Sequence, residues 1–205
     1  MEHKTYHTII FDLGAVLVDW NPRYLYKKIF TDEKEMEHFL ANVCTSDWNE
    51  EQDGGRRLQE ATDLLVAQHP TFETQIRAFY GRWPEMLNGA LEGTVEIFRQ
   101  LNESGKYKIY ALTNWSDETF PIAMEIYPFF KWFDGILVSG TEKMRKPHAA
   151  FYQLLLDRFS IDAKHAIFID DNLRNVKAAE DFGIESIHFT SPEALETVLK
   201  EKQIL

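Results

Sequence analysis

The sequence predicts a three-layer α/β protein: a parallel sheet between helices, interrupted by a helical insert. Three observations carry this. Short apolar runs recur at Thr8–Phe11, Lys108–Thr113, Phe133–Val138, Ala166–Ile169 and Glu185–Phe189. In the second half of the chain these runs alternate with helical patterns, which predicts parallel strands joined by right-handed crossovers. Between about residues 18 and 88, only helical spacing is visible.

The first strand is organised around Thr8-Ile9-Ile10-Phe11, which runs into Asp12 and then breaks at Gly14. A short, wholly apolar run bounded by polar His7 and a glycine suits a strand buried on both faces. After Val16–Trp20 comes Asn21-Pro22, where Pro22 fits the first turn of a helix capped by Asn21. Helices are then expected over Arg23–Phe30 and over Asp32–Val43, the second capped by Thr31 or Asp32. A helical turn over Ser46–Gln52 closes at Gly54-Gly55. Arg56–Gln68 carries Leu58, Ala61, Leu64 and Leu65 at helical spacing, Pro70 stops it, and Phe72–Trp83 forms another helix before Pro84. Residues 18–88 thus read as a separate helical unit, a cap, and residues 1–17 with 89–205 as the α/β core.

In the second half, Gly93–Ser104 places Val95, Phe98 and Leu101 on one face and stops at Gly105. Helices over Asp117–Ile126, Ala149–Phe159, Asn172–Phe182 and Pro192–Lys202 separate the remaining strands. No internal repeat or low-complexity segment appears.

Composition narrows the class. Hydrophobic residues make up 44% and charged residues 27% of the 205, as in soluble globular proteins. No apolar run is long enough to span a bilayer. Met1–His7 lacks the basic-then-apolar order of a signal peptide. Cys44 is the single cysteine, so an internal disulfide and a thiolate metal cluster are excluded. A cytoplasmic location is the expectation. The net charge of −11 opposes general binding to nucleic acid or to an anionic membrane. An anionic small molecule remains acceptable where a cation and a lysine reverse the sign locally. No feature of the sequence specifies an oligomeric state.

Polar residues collect where the strands stop. The first strand ends at Asp12, the second at Thr113-Asn114 and the fourth at Asp170-Asp171, while a basic loop, Glu142–Pro147, follows the third. In a parallel sheet these ends share one edge, where ligands bind. Helix capping or solvation explains each feature alone. Together they suit nucleophilic displacement by a carboxylate, in which an aspartate attacks phosphorus and water hydrolyses the resulting aspartyl-phosphate. Lys146 supplies fixed positive charge for the phosphoryl oxygens, and Thr113 and Asn114 supply hydroxyl and amide donors. Asp12, Asp170 and Asp171 would repel one another without a cation. Hard oxygen ligands of this kind suit Mg²⁺.

The arrangement resembles the haloacid dehalogenase (HAD) superfamily. Phe11-Asp12-Leu13-Gly14 is similar to its first motif, Leu112-Thr113-Asn114 to its second, Arg145-Lys146-Pro147 to its third and Ile169-Asp170-Asp171-Asn172 to its fourth. The helical block lies where the superfamily inserts its helical cap. The resemblance implies a Rossmann-like core, Asp12 as nucleophile, Thr113 and Asn114 as phosphate ligands and Lys146 as partner of phosphate and carboxylate. It also implies Mg²⁺ held by Asp12, the Gly14 carbonyl and the acidic pair, with Asp171 a direct ligand and Asp170 acting through water. The substrate so implied is a small phosphate ester.

One position departs from the superfamily's phosphatases. Most carry a second aspartate two residues after the nucleophile, as general acid and base, where this chain has Gly14. General acid–base help is worth about 10²–10⁴ in rate. Gly14 argues against a phosphomutase and leaves a phosphatase with a good leaving group, a sugar 1-phosphate for example, or with a borrowed proton donor. A metal-free 2-haloacid dehalogenase is the alternative, since halide needs no protonation. Asp170-Asp171 favours the phosphatase, because dehalogenases of the superfamily tend to replace these acids. A non-catalytic binding protein with this fold is the third reading.

Within the cap, Trp20, Trp48 and Asp53 are candidates to contact the leaving group, although the tryptophans equally suit closure of the cap–core joint. Asp47, Glu50, Glu51, Asp53 and His148 are candidates for the missing proton donor. Arg56 is expected either to bind an anion or to pair with Glu60. Trp115, directly after Asn114, is a candidate pocket residue, and Cys44 reads as an ordinary buried thiol.

Overall fold

The computed structural model describes residues 4–205. The assignment of Met1–His3 to the core, and their place in the leader reading, lie outside the described residues.

The chain opens with β1 (Thr8–Phe11), whose four residues are all buried. A short β2 (Val18–Trp20) follows, then α1 (Arg23–Tyr26), α2 (Glu33–Asn42), α3 (Ser46–Asp53), α4 (Leu58–Gln68) and α5 (Glu73–Gly81). The chain returns through β3 (Leu87–Ala90) and continues as α6 (Glu92–Ser104), β4 (Lys108–Thr113), α7 (Phe120–Ile126) and β5 (Gly135–Val138). It then forms α8 (Ser139–Glu142), α9 (Ala149–Phe159), β6 (Ala166–Asp170), α10 (Leu173–Asp181), β7 (Glu185–His188) and α11 (Pro192–Glu201). Local chemistry sets several boundaries. Asp32, Thr45, Asn172 and Ser191 cap α2, α3, α10 and α11 by accepting backbone N–H bonds. Gly105 ends α6 at φ +62°, a left-handed turn that glycine adopts without strain.

Five strands form a parallel sheet in the order β5-β4-β1-β6-β7. The chain builds outward from β1 to one side and then to the other, so the switch point lies at β1, where such sheets bind ligands. Alternate residues serve opposite layers. Ile9 and Phe11 pack with Phe98, Leu101, Leu195 and Leu199 of α6 and α11. Ile10, Leu112 and Phe168 pack with Phe151, Tyr152, Leu155 and Ala179 of α9 and α10. No helix among the described residues is long and apolar enough to cross a membrane.

The structure departs from the sequence reading at several points. Residues 18–88, read as helical throughout, contain β2, which pairs antiparallel with β3 in a two-stranded ribbon. Strands of three and four residues joined across more than sixty are too short to show alternation and too far apart to show a hairpin. The buried side chains of the helical segment, among them Tyr26, Phe39 and Phe79, run into the same cluster as one face of the sheet. The third sheet strand starts at Gly135 because Phe133 turns inward to stack on Phe98 (4.3 Å), while the Asp134 carboxylate accepts from the Ile109 N–H (2.8 Å). Helix α7 begins at Phe120, after a turn, and the segment before Lys146 opens with the helical turn α8.

Candidate active site

The site lies at the carboxyl edge of the sheet, around one lysine with no exposed surface. Lys146 Nζ lies 2.7 Å from Asp170 Oδ2 and 3.0 Å from Asp12 Oδ2, and donates to the Leu112 carbonyl at 2.8 Å. Burial opposes its charge, but the two carboxylates outweigh burial and hold its pKa above the ordinary lysine value. Asp12 is 8% exposed at the end of β1, with Oδ1 accepting from the Leu13 N–H at 2.7 Å. Burial pushes the Asp12 carboxyl up to about 8; Lys146 opposes the shift, and the charges of Asp170 and Asp171 reinforce it.

Asp170 is fully buried and saturated with donors. Besides Lys146 it accepts from the Asn172 N–H (2.8 Å), and the Asn175 amide lies 3.1 Å from each of its oxygens. Asp171 is exposed beside it, with its carboxyl pKa raised by burial of its surroundings and by the neighbouring Asp170. Carboxylate oxygens of Asp12, Asp170 and Asp171 lie within 4.8 Å of one another. Three carboxylates face one ammonium, which leaves an excess of negative charge that a hard divalent cation offsets. Since Asp170 is occupied by its donors, Asp12 and Asp171 have the oxygens best placed to ligate one. The donor set therefore fits Mg²⁺.

Thr113 ends β4 fully buried, and its Oγ1 has no hydrogen-bond partner among the described residues. A buried unpaired hydroxyl costs about 1–3 kcal/mol, which a bound oxyanion would recover. Asn114 takes a different role from the expected donor. Its side-chain oxygen accepts from the Lys146 N–H (2.8 Å) and its amide donates to the Lys146 carbonyl (3.0 Å). The side chain thus positions the lysine, while Asn114 also lines the adjoining cleft.

That cleft is partly open and begins at Gly14 and Asn114. Asn49, Asp53, Tyr80 and Trp83 of the helical segment form its far wall, and Trp20, Trp115 and Thr119 close it. Trp83 meets Trp115 edge-on at 5.7 Å, and Trp115 Nε1 donates to Thr119 Oγ1 at 3.1 Å. A second, wider space beneath α2 and α3 reaches Ala15 and Asp171, and Trp20 and Asn49 line both.

Of the expected cap contacts, Trp20 and Asp53 line the cleft and Trp48 does not. Trp48 stands edge-on to Phe79 (5.2 Å) and beside Tyr80 (5.4 Å), packing the helical segment internally. Arg56 bonds to Gln52 Oε1 (2.7 Å) instead of Glu60. Among the proton-donor candidates, Asp47 and His148 are exposed. Glu50 is paired with Arg174 (2.8 Å) and Glu51 with Arg145 (3.0 Å). Cys44 is buried, and burial pushes its thiol up to about 12. Asn175, Asn49, Tyr80 and Trp83 escaped the sequence reading. Only Asn175 left a trace, one turn into the helix that Asn172 caps.

An open parallel sheet with an acidic, lysine-bridged centre at its switch point defines the class of α/β proteins that work on ligands at the strand ends. The haloacid dehalogenase-like hydrolase model matches residues 6–183, and the chain belongs to that family of hydrolases. The sesquiterpene phosphatase astK of Aspergillus oryzae is 28% identical over 201 residues, spanning 98% of this chain and 97% of its own. A HAD family enzyme of Bacteroides thetaiotaomicron, solved as a magnesium complex, is 21% identical with a TM-score of 0.74, covering 96% of this chain and 99% of that one. A dehalogenase solved with an intermediate is 17% identical with a TM-score of 0.68, covering 91% and 86%. The two structures share the fold.

Proposed function

We propose that this chain is a Mg²⁺-dependent phosphatase that hydrolyses a small organic phosphate ester through an aspartyl-phosphate on Asp12. The observation that carries this reading is the buried Asp12–Lys146–Asp170 arrangement, with Asp171 within ligating distance and Thr113 Oγ1 unpartnered beside it. Asp12, Asp171 and the Gly14 carbonyl would hold the cation, with Asp170 behind them. When bound, the metal offsets the carboxylate charge and polarises the phosphoryl group. Asp12 Oδ attacks phosphorus as the bond to the alcohol oxygen breaks, and water then displaces the aspartate. Lys146 orients Asp12 and supplies positive charge for the phosphoryl oxygens, and Thr113 Oγ1 donates to one of them. The relative in Aspergillus oryzae, matched end to end, is named for phosphatase activity. A HAD family enzyme of this fold was solved with magnesium and inorganic phosphate.

The leaving alcohol fits the cleft beyond Gly14, where Trp20, Tyr80, Trp83 and Trp115 present rings. Such a lining suits a sugar ring or an apolar chain such as an isoprenoid. Gly14 is the feature that favours the metal-free dehalogenase, and the three clustered carboxylates oppose it. The test is phosphate release from sugar 1-phosphates, prenyl monophosphates and aryl phosphates, with Mg²⁺ and then with excess EDTA. Release that depends on Mg²⁺ is expected. Silence across the panel with chloride release from 2-chloroacids would replace this reading by the dehalogenase, and silence in both by a binding protein.

A further inference from the structure

We propose that Asp53, at the end of α3, is the proton donor to the leaving alcohol and so performs the work that Gly14 cannot. The inference rests on the phosphatase reading above. Gly14 and Asp53 line the same cleft, and among the described residues that line it Asp53 alone carries a carboxyl group. The carboxyl is anchored by the Asn49 amide, which donates to Oδ2 at 2.9 Å, and the nearby Ser116 backbone N–H of the core favours its charged form. The backbone beneath it is tied down as well, since Ser139 Oγ donates to the Asp53 carbonyl. Asn49 is itself fixed by Tyr80, whose hydroxyl donates to Asn49 Oδ1 at 2.9 Å. A proton donor must be held in place against the cleft, and these contacts hold it.

The electrostatics agree with the geometry. Burial raises the Asp53 carboxyl to about 7 and Glu50, on the same helix, reinforces the shift, while the Ser116 N–H and Arg145 of the core oppose it. Tyr80 faces Asp53 from α5 as a neutral phenol, its own pKa raised by burial and by the Asp53 charge. A carboxyl with such a pKa is partly protonated near neutrality, as a general acid requires.

In the first half-reaction Asp12 Oδ bonds to phosphorus, and the bond from phosphorus to the alcohol oxygen breaks. The freed electron pair on that oxygen takes the Asp53 proton, so the alcohol departs neutral. In the second, water oxygen bonds to phosphorus as the bond to Asp12 breaks, and Asp53 carboxylate takes the proton that water gives up.

The test compares two esters in Asp53→Asn, with Mg²⁺ present and folding checked by thermal melting. An aryl phosphate needs little protonation at its leaving oxygen. Its single-turnover phenol release should stay within about threefold of wild type, as a burst equal to the enzyme, with slow turnover afterwards. An alkyl phosphate needs the proton, so its single-turnover alcohol release should fall by about 10²–10⁴. The alkaline limb of the wild-type alkyl profile, falling as pH rises through about 7, should vanish. Adding Gly14→Asp to the variant should restore alkyl turnover, because a Cβ at Gly14 meets nothing within 4 Å. Equal losses for both esters, or an unchanged alkaline limb, would overturn the proposal and leave Asp53 a purely structural residue. A wild type without activity on any ester would remove the phosphatase reading and this inference with it.

Discussion

Asn114 and Lys146 hold each other by two reciprocal hydrogen bonds, side chain to backbone, across the gap between the end of β4 and the loop before α9. The pair fixes the lysine backbone at the sheet edge, and Asp12, Asp170 and the Leu112 carbonyl then fix its ammonium. The charge at the centre of the site is thus held at both ends of its side chain.

Asn114→Ala should therefore act through Lys146. It leaves a backbone N–H and a carbonyl without partners, at a cost of about 1–3 kcal/mol in stability. Misplacement of the ammonium should lower kcat by about 10²-fold with a smaller change in KM. Chemical denaturation and steady-state kinetics check the two parts. An unchanged kcat would mean that the carboxylates alone hold the ammonium in place.

Asp12→Asn should remove turnover, by roughly 10⁴-fold or more, and change stability in a pH-dependent way. Burial lifts the folded-state pKa of Asp12 to about 8, above the roughly 3.9 of an unfolded aspartate. A carboxyl raised in this way contributes most below the unfolded value and becomes a growing liability as pH climbs toward the folded one. In EDTA the variant should match wild type near pH 4 and melt at a higher temperature at pH 8. Melting at a lower temperature at pH 8 would show that the ion pair with Lys146 outweighs burial.

The two tryptophans of the helical segment should separate. Trp48→Ala removes the edge-on contact with Phe79 and should cost about 1–3 kcal/mol in stability, with KM little altered. Trp20→Ala, in the cleft wall, should raise KM up to about tenfold, equivalent to a lost aromatic contact of about 1.4 kcal/mol. A larger KM effect from Trp48 would place the leaving group elsewhere.

The sheet was legible because β1, β4 and β6 are largely apolar runs buried on both faces, each ending in or directly followed by a polar residue. Those polar residues, Asp12, Thr113 and Asp170, converge because parallel strands share one edge. The ribbon was not legible, since Val18 and Ala90 pair only once the fold brings them together. Side-chain direction was equally hidden. Sequence marks Asn114 as polar at a strand end, but only the fold shows it facing the Lys146 backbone, and only the fold shows Trp48 turning to Phe79. Asn175 was missed because its contact with Asp170 depends on how α10 lies over β6.

The ribbon of β2 and β3 makes the stretch between them a loop with adjacent ends, for the chain leaves the sheet and rejoins it at one place. One wall of the cleft, from Gly14 to Asn114, belongs to the strand ends, and the opposite wall, from Asn49 to Trp83, belongs to that loop. Residues in the loop can change in size and polarity, and the loop in length, without altering the order of the sheet strands. The architecture is modular: the choice of leaving group can drift through substitutions on one wall while the lysine and its carboxylates stay untouched, buried at the strand ends.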